Sequence, residues 1–309
     1  MDANRPPFRL SLAIFLPLGL TLGALCAGCG GEEAGAEEQP VPDAGAVDRD
    51  MQPGSPDAGP PPVPTPWGVI GFGVNYRTTG VTGNNVFIGY AGYNESDGQS
   101  QAWVDALDPA RLQALGVGHV YAVRGPADVS YSRREIGNTK LIAHLLARID
   151  ANTGLILVAA HSSGAYVANE LFGFLSGGSY DKEGKTRDRT VYFNLDGGGG
   201  LTSDDVAHLY RTYFVYAQDS RTGTESPNAS TMMSQARALG ARTELMTINA
   251  DRAGCATGAT WCLHLTLITT KPHSATNSDP LDYSDFIGRP VQTSYLDQSW
   301  SQLSALAHP

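Results

Sequence analysis

Leu155-Ile156-Leu157-Val158-Ala159-Ala160-His161-Ser162-Ser163-Gly164-Ala165-Tyr166 is the stretch on which the reading of this chain turns. A short, unbroken apolar run leads directly into His-Ser-Ser-Gly. Such a run, bounded by turn residues, is the pattern of a strand buried on both faces of a parallel sheet. Beyond it Ala168, Leu171, Phe172 and Leu175 fall on one stripe of a helix. The junction has two readings. The serines cap a helix behind a buried strand, or Ser162 is a nucleophile held on a strained strand-to-helix turn. The local pattern is too loose to separate them, so the surroundings must decide.

Outward from this stretch, two kinds of element alternate. Val86-Phe87-Ile88-Gly89-Tyr90 reads as a strand and Ala102 to Leu115 as a helix closed by Gly116. His119 to Val123 is the next strand, stopped by Gly125-Pro126, and Leu141, Ile142, Leu145, Leu146 and Ile149 form one face of a helix. After the central stretch, Thr190 to Leu195 predicts a strand and Ser203 to Tyr210 a helix capped by Thr202 or Ser203. Tyr213 to Ala217 is a strand, Ser230 to Leu239 a helix, and Thr243 to Ile248 the last strand. Gly68 to Tyr76, with residues near Val81, predicts a leading hairpin. Repeated β-α units of this kind imply a mostly parallel sheet with helices on both faces.

In that setting Ala160-His161-Ser162-Ser163-Gly164 resembles the nucleophile elbow of the α/β-hydrolase family, with Ala160 where the family usually has Gly. The serine sits at unfavourable backbone angles with close packing on either side, so its neighbours two positions away must be small. The resemblance covers about Val86 to Ile268 and implies a three-layer α/β fold and a triad in the order Ser, acid, His. It puts the acid first at Asp219, two residues beyond the strand ending at Ala217, with Asp196 at the end of the preceding strand as the rival. It puts the general base at His264, with His273 as the alternative. The oxyanion donors it implies are the backbone N–H of Ser163 and, from the loop after Val86 to Tyr90, Gly92 or Tyr93. Short connections leave no room for a large cap domain, so a fairly open site is expected, with Tyr93, Trp103 and Trp261 as its apolar walls. The resemblance implies no metal or organic cofactor. Gly197 to Gly200 is not followed by the Lys-Ser/Thr of a phosphate cradle and reads as a strand-to-helix loop.

The chain ahead of this domain differs in kind. Arg5 and Arg9 precede an apolar run from about Leu10 to Ala27, the order of an export signal. Leu25-Cys26-Ala27-Gly28-Cys29 resembles a bacterial lipobox, which implies lipidation of Cys29 and a domain tethered outside the cytoplasm at a bacterial membrane, the outer membrane or the cell surface. The expected organisation is a signal over 1–29, a linker over 30–66 and a hydrolase domain over 67–309. Pro, Gly, Ala and acids dominate the linker, where Pro42-Asp43-Ala44-Gly45 recurs as Pro56-Asp57-Ala58-Gly59. Such a composition buries too little apolar surface to offset the entropy of ordering it. Glu32, Glu33, Glu37, Glu38, Asp43, Asp48, Asp50 and Asp57 face only Arg49, so the tether carries −7 of the formal charge of −10. The acidity therefore belongs to a spacer, and no basic patch elsewhere suggests a nucleic-acid partner.

Cys255 and Cys262 are the cysteines of the folded part, and in an exported chain such a close pair predicts a disulfide loop. A zinc site would need four ligands that no second cysteine pair or HExxH supplies. Together these readings predict a serine hydrolase acting on a small-molecule or lipid-like ester through an acyl-enzyme. The reading from another class is a catalytically silent lipoprotein that uses the same fold to bind a ligand or partner. Oligomeric state is not legible.

Overall fold

In the computed structural model of the protein the described residues are 62–127, 137–149, 154–251, 255–268 and 294–307. All lie in the unit Asp57–Pro309. The expected signal segment, the linker up to residue 61, Cys29 and His273 lie outside them.

The strands are β1 (Gly68–Gly71), β2 (Val74–Thr78), β3 (Asn85–Tyr90), β4 (Val117–Val123), β5 (Ile156–His161), β6 (Thr190–Leu195), β7 (Arg211–Asp219), β8 (Thr224–Glu225) and β9 (Thr243–Asn249). They form one sheet in the order β1-β2-β4-β3-β5-β6-β7-β8, with β9 also paired to β7. From β4 through β3, β5, β6 and β7 to β9 every pairing is parallel, while β1, β2 and β8 join antiparallel. The helices are α1 (Asp97–Asp105), α2 (Pro109–Ala114), α3 (Asn138–Leu146), α4 (Gly164–Ser176), α5 (Ser203–His208), α6 (Ala229–Leu239), α7 (Thr260–Thr266), α8 (Ser294–Gln298) and α9 (Trp300–Ala307). This is a three-layer α/β fold with a mostly parallel central sheet and helices on both faces.

The layers follow from alternation along the strands. Phe87, Leu157, Ala159, Phe193 and Val215 pack on one face with Trp103, Leu112, Leu263, Leu296 and Leu303 of α1, α2, α7, α8 and α9. Val86, Ile88, Val158, Ala160 and Tyr192 pack on the other with Leu141, Leu145, Ala168 and Leu171 of α3 and α4. Because successive strand residues face opposite ways, β3 and β5 are buried at every position, and this is why they read as continuous apolar runs.

Four expectations are corrected. The helix expected over Ala102 to Leu115 is two helices, because Asp108 accepts from the backbone N–H of Ala110 as a cap and Pro109 opens a new first turn. Residues near Val81 are not strand. β7 continues through Asp219 instead of ending at Ala217, since β8 folds back and pairs Asp219 with Thr224. Trp103 is not a site wall: it is fully buried against Gly89 of β3, where a Cβ would lie 3.1 Å from the indole. Among the described residues no helix is long and apolar enough to cross a membrane.

Candidate active site

At the junction between β5 and α4 the two serines differ in conformation. Ser163 occupies the N-cap position of α4, but its side chain makes no capping hydrogen bond. Ser162 has φ 54°, in the left-handed region that a non-glycine residue enters at a cost. The turn is held from both sides. Ser162 N donates to Leu195 O of β6 at 3.1 Å, and Gly198 N donates to Ser162 O at 3.2 Å. A Cβ on Gly164 would lie 2.3 Å from Ala91 O, and one on Gly197 would lie 2.5 Å from the Ala165 Cβ and 2.8 Å from Ser162 O. Close approach of three backbones is therefore what requires small residues here, and what keeps the strain in place.

Beside Ser162, at the end of β6, stands Asp196, itself at φ 46° and fully buried. Its Oδ2 accepts from His264 Nδ1 at 2.6 Å, and its Oδ1 accepts from the backbone N–H of Asn228 at 3.2 Å. Asn228 Nδ2 also donates to the Asp196 carbonyl at 2.7 Å. An ionised carboxylate only accepts, so His264 carries its proton on Nδ1 and its Nε2 is the basic nitrogen. His264 is buried and lies on α7, the helix that follows the last strand β9. The Cys255–Cys262 disulfide, with Cα atoms 5.7 Å apart, closes the segment that leads into this helix.

Asp219, the acid placed first in the sequence reading, does not meet His264. Both its oxygens hold the side chain of Arg221, Oδ1 at 3.0 Å from Nε and Oδ2 at 2.7 Å from Nη2, and Arg221 N donates to Oδ1 at 3.0 Å. Those bonds from Arg221 hold the Asp219 carboxyl below the usual carboxylate range. Of the two acids considered, the fold gives His264 the rival, Asp196. The available signal was the glycine run after Asp196. Gly197 and Gly198 have no room for a side chain because the helix that starts at the elbow packs on them, through Ala165 and Tyr166.

The loop after β3 lies against the elbow. Gly92 is folded in by Gly125, where a Cβ would sit 1.4 Å from Gly92 O, and by the turn in which Glu95 N donates to Gly92 O at 3.3 Å. A Cβ on Gly92 would lie 3.3 Å from the Ser162 Cβ. Tyr93 is exposed beyond it, and Trp261 is exposed on α7 with its indole edge-on to the His264 ring at 5.1 Å.

Two further buried residues, His161 and Glu95, adjoin these groups. His161 is 1% exposed, and its ring lies 4.3 Å from that of His264. Burial, and then the neighbouring His264, push the His161 imidazole well below its ordinary pKa. Glu95, also buried, has Oε1 3.9 Å from His161 Nδ1. Among the described residues no cluster of three or more His, Cys, Asp or Glu side chains is arranged to hold a metal ion.

No protein-family profile and no curated protein matches the sequence. Solved structures similar in chain path include a carboxyl esterase from the mycorrhizal fungus Tuber melanosporum, 10% identical, with TM-score 0.45 over 76% of this chain and 82% of that one. A dienelactone hydrolase-like promiscuous phosphotriesterase from metagenomic libraries is 13% identical, with TM-score 0.39 over 76% and 90%. The esterase LipW of Mycobacterium marinum is 11% identical, with TM-score 0.37 over 76% and 75%. At this level the likeness carries nothing about the site, whose chemistry is read from its own geometry.

Proposed function

We propose that the protein is a serine hydrolase that cleaves carboxylic esters through an acyl-enzyme, with Ser162 as nucleophile, His264 as general base and Asp196 as the acid. The observation that carries this reading is the buried Asp196–His264 hydrogen bond beside a serine held at positive φ. Ser162 Oγ attacks the ester carbonyl carbon and its proton passes to His264 Nε2. Asp196 keeps the ring in the Nδ1–H tautomer and stabilises the imidazolium that forms. The carbonyl oxygen, now negative, accepts from the backbone N–H of Ser163 and from one of Gly92 or Tyr93. Each such donor is worth roughly 10²–10³ in rate. The imidazolium then protonates the departing alkoxide, and water repeats the sequence on the acyl-enzyme.

A fluorophosphonate probe tests the reading in the full-length protein. Wild type should label at one serine and Ser162→Ala should not. A wild type that resists the probe, or equal labelling of the variant, would sink it. Attachment through Cys29 is part of the same proposal and is supported by the sequence alone. Cys29→Ser should move the protein from the membrane fraction to the soluble one.

A further inference from the structure

His161 fills the slot beside the nucleophile that the elbow pattern leaves open, and the triad chemistry makes no use of it. Its surroundings are nevertheless specific. The last carbonyls of a helix have no partner within the helix, and α7 ends two residues after the base. Ile268 N, the amide four residues beyond His264, donates to Leu265 O at 3.0 Å. The carbonyl of His264 instead takes His161 Nε2 at 3.1 Å. A carbonyl only accepts, so His161 carries its proton on Nε2. On the opposite edge, Nδ1 faces the loop after β3: it lies 3.9 Å from Glu95 Oε1 and 3.1 Å from where a Gly92 Cβ would be. One buried ring therefore joins the strand bearing the nucleophile, the helix bearing the base and the loop proposed to bind the oxyanion.

We propose that His161 is a positioning residue for His264, acting through the His161 Nε2–His264 O hydrogen bond and the ring-on-ring contact. The proposal rests on the reading of His264 as the general base. Asp196 fixes only the Nδ1 edge of that ring, and rotation of the helix beneath it would change where Nε2 points. Tying the main chain of residue 264 to the elbow removes that freedom. A misplacement of about 1 Å at a reacting atom can cost about a hundredfold in rate. The depressed basicity of His161 suits the role. It stays neutral while His264 gains a proton, and so adds no second positive charge 4.3 Å away.

The test compares His161→Leu, which fills the space without a donor, with His161→Gln, whose side-chain N–H reaches about as far as Nε2. Both are made in the full-length protein. The readouts are kcat and KM on p-nitrophenyl acetate, and the low-field proton resonance of His264 Nδ1–H. His161→Leu should lower kcat about tenfold to a hundredfold with KM within about twofold, and broaden the resonance. His161→Gln should recover kcat to within about threefold of wild type and restore a sharp resonance. A His161→Leu variant with wild-type kcat and a sharp resonance overturns the proposal, as does equal impairment of the two variants. If instead Ser162→Ala or His264→Ala hydrolyses as wild type does, the triad reading itself falls and this role falls with it. Loss in both of those variants with an unaffected His161→Leu overturns only the positioning role.

Discussion

Asp196 and Asp219 end neighbouring parallel strands, and both are buried, yet one holds an imidazole and the other a guanidinium. Level along the strand direction separates them. His161 of β5 is in register with Leu195 of β6, and Leu195 with Val215 of β7. Ser162 and Asp196 therefore leave the sheet at one height, level with Tyr216. Asp219 lies three residues further on, roughly 10 Å at about 3.3 Å per residue. β7 extends that far because β8 turns back onto it. The acid that meets His264 here is the one whose strand ends at the height of Ser162. β6 ends there and β7 does not.

The most direct way to break this comparison is to remove each charge in turn. Asp196→Asn should leave the fold intact and lower kcat by about 10⁴-fold, because an amide can hold the wrong imidazole tautomer. Steady-state kinetics on a simple aryl ester would show it, and a loss under tenfold would return the acid role to another residue. The glycines that follow the two acids differ next. Gly197→Ala forces a Cβ to within 2.5 Å of the Ala165 Cβ and 2.8 Å of Ser162 O, and overpacking of this kind should cost about 3 kcal/mol. Gly223, after Asp219, has φ 66° and open space around it, so Gly223→Ala should cost only the left-handed strain of about 1 kcal/mol. Urea unfolding of both variants measures the gap, and equal losses would contradict the packing described at the elbow.

Acid separates the two ends as well. The His161 pKa is depressed below the 6.5 of an unfolded ring. Below pH 6.5 the unfolded chain takes up a proton that the folded one refuses, so this contribution to stability is full above pH 6.5 and is lost as pH falls toward the folded value. The Asp219 carboxyl, depressed below 3.8 by Arg221, contributes fully above that pH and loses its part only below it. Unfolding midpoints between pH 7.5 and 5 should therefore fall less steeply in His161→Gln than in wild type. Asp219→Asn should flatten the profile only below about pH 4. An identical slope in wild type and His161→Gln would mean that His161 is not buried neutral. The smallest effect belongs to Asp219→Asn under assay conditions, where kcat and KM should stay within about twofold of wild type. A larger drop would show that Asp219 serves the site after all.

Much of this was legible without coordinates. Leu155 to Ala159 announces a doubly buried strand because every residue of β5 meets a helix layer on one side or the other. The small residues Ala160 and Gly164 around Ser162 announce a tight turn, and the structure shows the backbone of Ala91 against Gly164 that makes the glycine necessary. The close spacing of Cys255 and Cys262 predicted their bridge, which is present. The reading failed where chain-distant groups decide. Ala217 looked like the end of a strand because polar residues follow it, but hydrogen bonds from β8 carry the ladder on through Asp219. His161 looked like a filler because its partner, the carbonyl of His264, lies 103 residues away along the chain.

The sequence by itself determined most of the element types, the layered architecture they imply and the tight turn that holds Ser162. Each of these depends on local periodicity, on small residues at fixed offsets and on backbone preference. Tertiary structure alone decided which acid meets the base, because that depends on how far each strand runs before leaving the sheet. It also decided that His264 sits on a helix, and that His161, beside Ser162, is hydrogen-bonded to that helix. Those are relations of height and orientation between segments far apart in the chain, and only the register of the folded sheet sets them.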